Sequence, residues 1–140
     1  MKKRLLLLLI FVNFVSYAKI EELNLKSENG SYKELNNQKI FLASGNAHVI
    51  IDNNEIFADE MEIYLNKDDT VEKAIFKKKI RIFQIKEEIQ IGGEYAEYYK
   101  KDKIFLIREN TFYIDEKEEV AVFGDSIHNY DKEKVAIVQG

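Results

Sequence analysis

The chain has 140 residues, a formal net charge of −4, two histidines, and neither cysteine nor proline. This composition excludes a disulfide-stapled scaffold, and its acidic balance argues against nucleic acid, whose phosphates it would repel. The length suits one domain with a real core.

Lys2, Lys3 and Arg4 form a positive start, residues 5–15 are apolar apart from Asn13, and Ser16-Tyr17-Ala18 supplies small residues around a cleavage point. The apolar run falls well short of the ~20 residues that span a bilayer, and Lys19, Glu21 and Glu22 follow at once. The expectation is a signal peptide over residues 1–18, cleaved after Ala18 for export, and one folded domain over residues 19–140. Retention of the segment as an anchor is the alternative. Removing its three cations takes the charge from −4 to −7.

Beyond that point apolar and polar residues alternate with a period of two, as in Ile80-Arg81-Ile82-Phe83-Gln84-Ile85, Ile89-Gln90-Ile91, Phe112-Tyr113-Ile114 and Val120-Ala121-Val122-Phe123. That is the period of half-buried strands. Polar clusters break the runs at residues 36–38, 52–55, 66–69, 86–87, 100–102, 115–117 and 131–133, and each predicts a hairpin loop. Consecutive strands are therefore expected to run antiparallel.

These pieces recur. Tyr32, Tyr64, Tyr98 and Tyr130 are spaced by 32, 34 and 32 residues. Apolar runs opening at Ile40, Val71, Ile104 and Val135 follow them, and Phe57-Ala58-Asp59, Ile91-Gly92-Gly93 and Phe123-Gly124-Asp125 shortly precede the last three. The reading is a unit of about 32 residues, built of three or four short strands, that stacks because it cannot bury an apolar face alone. The tyrosines read as a structural ladder, with a sugar-stacking face as the alternative. The strand at the end near Gly140 is expected to present unpaired backbone groups as an assembly surface, with capping by a loop as the alternative.

Ala43-Ser44-Gly45-Asn46-Ala47-His48-Val49, a polar turn, and Ile56-Phe57-Ala58-Asp59-Glu60-Met61-Glu62-Ile63-Tyr64 resemble the OstA-like, or LptA-type, repeat of lipopolysaccharide-transport proteins. The likeness spans roughly residues 23–140. Later units depart from it, with Lys78-Lys79-Ile80 and Glu109-Asn110-Thr111 where glycine and asparagine are expected. The resemblance implies an all-β fold, an elongated open β-jelly roll of stacked antiparallel hairpin repeats. It further implies a periplasmic bridge that shields the acyl chains of lipopolysaccharide or a related glycolipid. Implied partners are an inner-membrane LptC-like protein, an outer-membrane LptD-like protein and further copies of the chain, head to tail. No outer-membrane barrel follows and no full-length anchor precedes, which favours the LptA type. An LptC-like component, or an envelope repeat protein without lipid, are the alternatives.

Shielding is needed because each methylene exposed to water costs ~0.8 kcal/mol, about 10 kcal/mol for a twelve-carbon chain. Strand alternation places Phe57, Met61 and Ile63, then Ile91 and Tyr95, then Phe123 and Ile127 on one face as candidate groove lining, with Ile80, Ile82, Phe112 and Ile114 as further candidates. Ordinary core is the competing reading for all of them. Lys77-Lys78-Lys79 and Lys100-Lys101 are candidate rim cations for acidic head groups. No catalytic motif, cofactor or metal site is expected: His48 and Asp52 share a strand face without a third ligand.

Overall fold

The computed structural model describes residues 16–20 and 23–140, with side chains from residue 24 onward. The segment read as a signal peptide lies outside the described residues over 1–15, while Ser16, Tyr17 and Ala18 stand in the first strand. The strands are β1 (Ser16–Ile20), β2 (Leu23–Ser27), β3 (Asn29–Leu35), β4 (Gln38–Ile51), β5 (Asn54–Leu65), β6 (Val71–Gln84), β7 (Ile89–Tyr99), β8 (Ile104–Asp115), β9 (Val120–Tyr130) and β10 (Val135–Gln139). They form one antiparallel sheet in the order β1-β2-β4-β5-β6-β7-β8-β9-β10, with β3 paired to the other half of β4 beside β2. All seven predicted loops connect consecutive strands.

The strands are long, and a unit is two of them rather than three or four short ones. Each long strand bends near its middle, where the register shifts. At the bend β4, β6 and β8 each carry one residue more than their neighbours, and two consecutive residues there are left-handed: Gly45-Asn46 (φ 81° and 47°), Lys78-Lys79 (70° and 55°) and Glu109-Asn110 (68° and 54°). An extra residue in one strand is a β-bulge, which kinks the strand. Three bulges in line fold the sheet onto itself as two layers of an open jelly roll. The glycine-asparagine motif is thus the bend itself, since these residue types tolerate a left-handed backbone best.

Small residues occupy the facing side of the bend. A Cβ on Gly92 would stand 2.3 Å from the Ile80 carbonyl oxygen and 2.4 Å from the Phe112 ring, which lies across it. Side chains paired directly across strands share a face, so rows run across the sheet. In the first layer the inward row is Leu25, Val49, Ile56, Ile82, Ile91, Tyr113 and Val122. In the second it is Ala43, Met61, Phe76, Ala96, Ile107, Ile127 and Val138. The buried members of both rows belong to one apolar cluster, with Tyr113 and Val138 packed against it. Each fully buried Ile or Phe contributes about 1.5–3 kcal/mol.

The recurrent tyrosines do not form one ladder. Tyr32 packs against the core and Tyr98 is fully buried in it, whereas Tyr64, Lys73, Tyr99, Ile104 and Tyr130 make an outward row. The structural equivalents are therefore Tyr64, Tyr99 and Tyr130, spaced by 35 and 31 residues. The steps differ because β6 runs for 14 residues and β8 for 12.

Candidate functional site

Six of the eleven lining candidates point into the space between the layers: Met61, Ile63, Ile80, Ile82, Ile91 and Ile127, each at most 1% exposed. The other five, Phe57, Tyr95, Phe112, Ile114 and Phe123, face outward. The expected common face fails at the bend. Two residues separate the inward positions there, Asp59 and Glu60 between Ala58 and Met61, and Glu94 and Tyr95 between Gly93 and Ala96, so strict alternation is broken.

The outward residues have their own partners. Phe57 stacks on His48 at 4.4 Å and carries the Arg81 guanidinium 4.9 Å from its ring centroid. His48 also bonds Glu55 at 2.9 Å. Tyr95 lies beneath Arg108 and donates to Glu97 at 2.8 Å; burial and that carboxylate push its hydroxyl up to about 12.

Opposite the bends, the hairpin tips of the two layers form two lips. One lip is built of loops 52–53, 85–88 and 116–119, the other of loops 36–37, 66–70, 100–103 and 131–134. Polar contacts cross between them. Asp52 accepts from Tyr98 at 2.7 Å and pairs with Lys100 at 2.7 Å and Lys103 at 3.2 Å. Asn54 reaches Asp131 at 3.4 Å, and Lys134 pairs with Glu87 at 2.9 Å. Burial acts to raise the Asp52 carboxyl, but the hydrogen bonds from Lys100 and Tyr98 and the lysine charge outweigh it and hold its pKa below the usual range. Burial, and next the Asp52 hydrogen bond, push the Tyr98 hydroxyl far up. Asp52 thus belongs to a cluster with Lys100, Lys103 and Tyr98 across the lips rather than to a site with His48. No group of three metal-ligating side chains converges among the described residues.

The Lys77-Lys78-Lys79 run, read above as a rim, lies at the bend on the opposite edge, where Lys77 pairs with Glu62 and Lys78 with Glu60. Lys100 alone of the expected rim residues crosses the lips. Sequence reading missed Asp52, Glu87 and Lys134 as lip residues. Their signal was positional, because all three fall in or beside predicted turns.

The interior is packed shut in the middle of the sheet and opens at one end. Along the first-layer row Ile91 is fully buried, Tyr113 is half-buried and Val122 is 37% exposed, with Val120 at 44%. β10 pairs only with residues 126–130 of β9, and Gln139 and Gly140 lie against Gly124, which leaves residues 120–123 without an outer strand among the described residues. Phe123, on the outer face of this edge, is 73% exposed.

Residues 24–135 match the family described as LptA/(LptD N-terminal domain) LPS transport protein. No curated protein matches the sequence. Among solved structures the fold is similar to LptH, the LptA homologous periplasmic component of the conserved lipopolysaccharide transport device from Pseudomonas aeruginosa. The TM-score is 0.72 at 12% identity, over 86% of this chain and 84% of that one. With most of its length matched and the bent two-layer sheet in place, the chain belongs to the LptA/LptD amino-terminal domain family of lipopolysaccharide-transport proteins.

Proposed function

We propose that this protein is a periplasmic carrier that holds the acyl chains of lipopolysaccharide, or a related glycolipid, between its two sheet layers while the sugars stay in water. The observation that carries this reading is the apolar interior, whose inward rows cross every long strand and reach β9, where Val120 and Val122 are partly exposed. Carriage of this kind needs binding and shielding but no chemistry from the protein.

Copies join head to tail, the bare edge of β9 and β10 meeting the β2 and β3 edge of the next, so that the interior continues from one to another. Cleavage after Ala18 removes three of the five residues of β1 and frees the edge of β2 that β1 covers. An LptC-like protein at the inner membrane and an LptD-like protein at the outer membrane are the partners that accept the two ends.

A second reading, a structural stack without lipid, has one observation in its favour: the central interior is fully buried and packed. Photocrosslinking in cells separates the two. Probes at inward Ile82 and Ile91 are expected to yield glycolipid adducts, while probes at outward Phe57 and Lys67 yield none. Adducts absent from both inward positions would leave the structural stack as the better account.

A further inference from the structure

The apolar interior does not run unbroken to the lips. Beneath the Glu87–Lys134 bridge, Gln84 from the first layer and Asn129 from the second turn their terminal amides inward. They are 5% and 4% exposed, and Gln84 Nε2 and Asn129 Nδ2 have no hydrogen-bond partner among the described residues. Both line a cavity of about 30 Å³ together with Ile89, Tyr113, Asp131 and the Glu87–Lys134 pair. Two buried amide donors left unpaired are costly, and natural interiors leave few such groups without a role.

Resting on the carrier reading above, we propose that Gln84 and Asn129 form a binding step for the linkage carbonyls of the lipid's acyl chains. In an acylated sugar the ester or amide carbonyl lies at the junction of chain and head group. In this protein the two amides lie at the junction of apolar interior and charged lip. A chain inserted between the layers brings its carbonyl oxygen, an acceptor without a proton, to the two donors. The Glu87–Lys134 bridge parts to admit it. A ligated carbonyl satisfies amides that an alkyl chain leaves unpaired, so the site selects acyl over alkyl linkage.

The test compares a dodecanoyl sugar ester with the matching dodecyl sugar ether, binding the purified protein in calorimetric titrations, for wild type and for Gln84→Leu combined with Asn129→Leu. The wild type is expected to prefer the ester by about tenfold, as one or two hydrogen bonds allow. The double variant is expected to bind both equally, with ether affinity unchanged. Thermal melts of the unliganded proteins show that the variant is folded, and Gln84→Glu with Asn129→Asp serves as a second variant, expected to lose the ester preference through acceptors facing an acceptor. Equal binding of ester and ether by the wild type overturns the carbonyl site, leaving the amides to ordered water, while the carrier reading stands. Failure of the wild type to bind either amphiphile overturns the carrier reading and this site with it.

Discussion

Lys78 and Lys79 carry left-handed backbone angles that β4 assigns to glycine and asparagine at the same bend. A left-handed conformation costs a residue with a Cβ roughly 1–2 kcal/mol, of which glycine's greater freedom in the unfolded chain takes back about 0.5–1. Lys78→Gly should therefore stabilise the fold by about 0.5–1 kcal/mol, read as a higher urea midpoint with an unchanged slope. A lower midpoint would show that the Lys78–Glu60 pair, 3.3 Å long and exposed, outweighs the backbone. This residue was legible in the sequence only as a departure from a motif. Its role became plain because all three bulged strands show the same paired positive φ values, which no composition or alternation reveals.

The two-residue period and the polar punctuation made the elements legible: all seven hairpin loops stand where the polar clusters predict them. Facing was legible only on either side of a bulge. Each bend breaks the simple alternation, so Ile91 and Tyr95 share parity in sequence yet lie on opposite faces, as do Phe57 and Met61. The lips were invisible for a different reason, since Asp52 and Lys100 meet only after the layers fold together, 48 residues apart along the chain. Their pairing makes stability depend on pH. The Asp52 carboxyl titrates lower in the fold than in the unfolded chain. Its contribution is present above the unfolded value of ~4 and is lost as pH falls through the folded one. Asp52→Asn should cost about 1–2 kcal/mol at pH 7, in line with hydrogen bonds to a charged group. The gap from wild type should close in urea melts taken below pH ~4. A gap of constant size across that range would mean that the carboxylate charge contributes nothing and that packing of the tip accounts for the loss.

At the scale of the molecule, the described residues form a sheet closed along two sides. The bends shut one side covalently and the lip contacts shut the other, whereas among the described residues β9 over residues 120–123 and the outer edge of β3 have no paired strand, and the edge of β2 is covered by β1. Natural edges are blunted by charge, proline or short length; β10 has only five residues, but Val120, Val122, Val135 and Ile137 keep the far edge apolar. In the assembly proposed above, this edge pairs with that of another copy, which would continue the inward row of one copy into the next. Val122 points inward at the mouth and is 37% exposed, so Val122→Asp leaves a single copy almost as stable as before. In a joined pair the same carboxylate is buried without a partner, at a cost of several kcal/mol. Sedimentation velocity over a concentration series should show the wild type growing in size as it concentrates and Val122→Asp remaining monomeric at concentrations at least tenfold higher. Equal growth of the two proteins would place the junction elsewhere than the β9 mouth and would sever assembly from continuity of the interior.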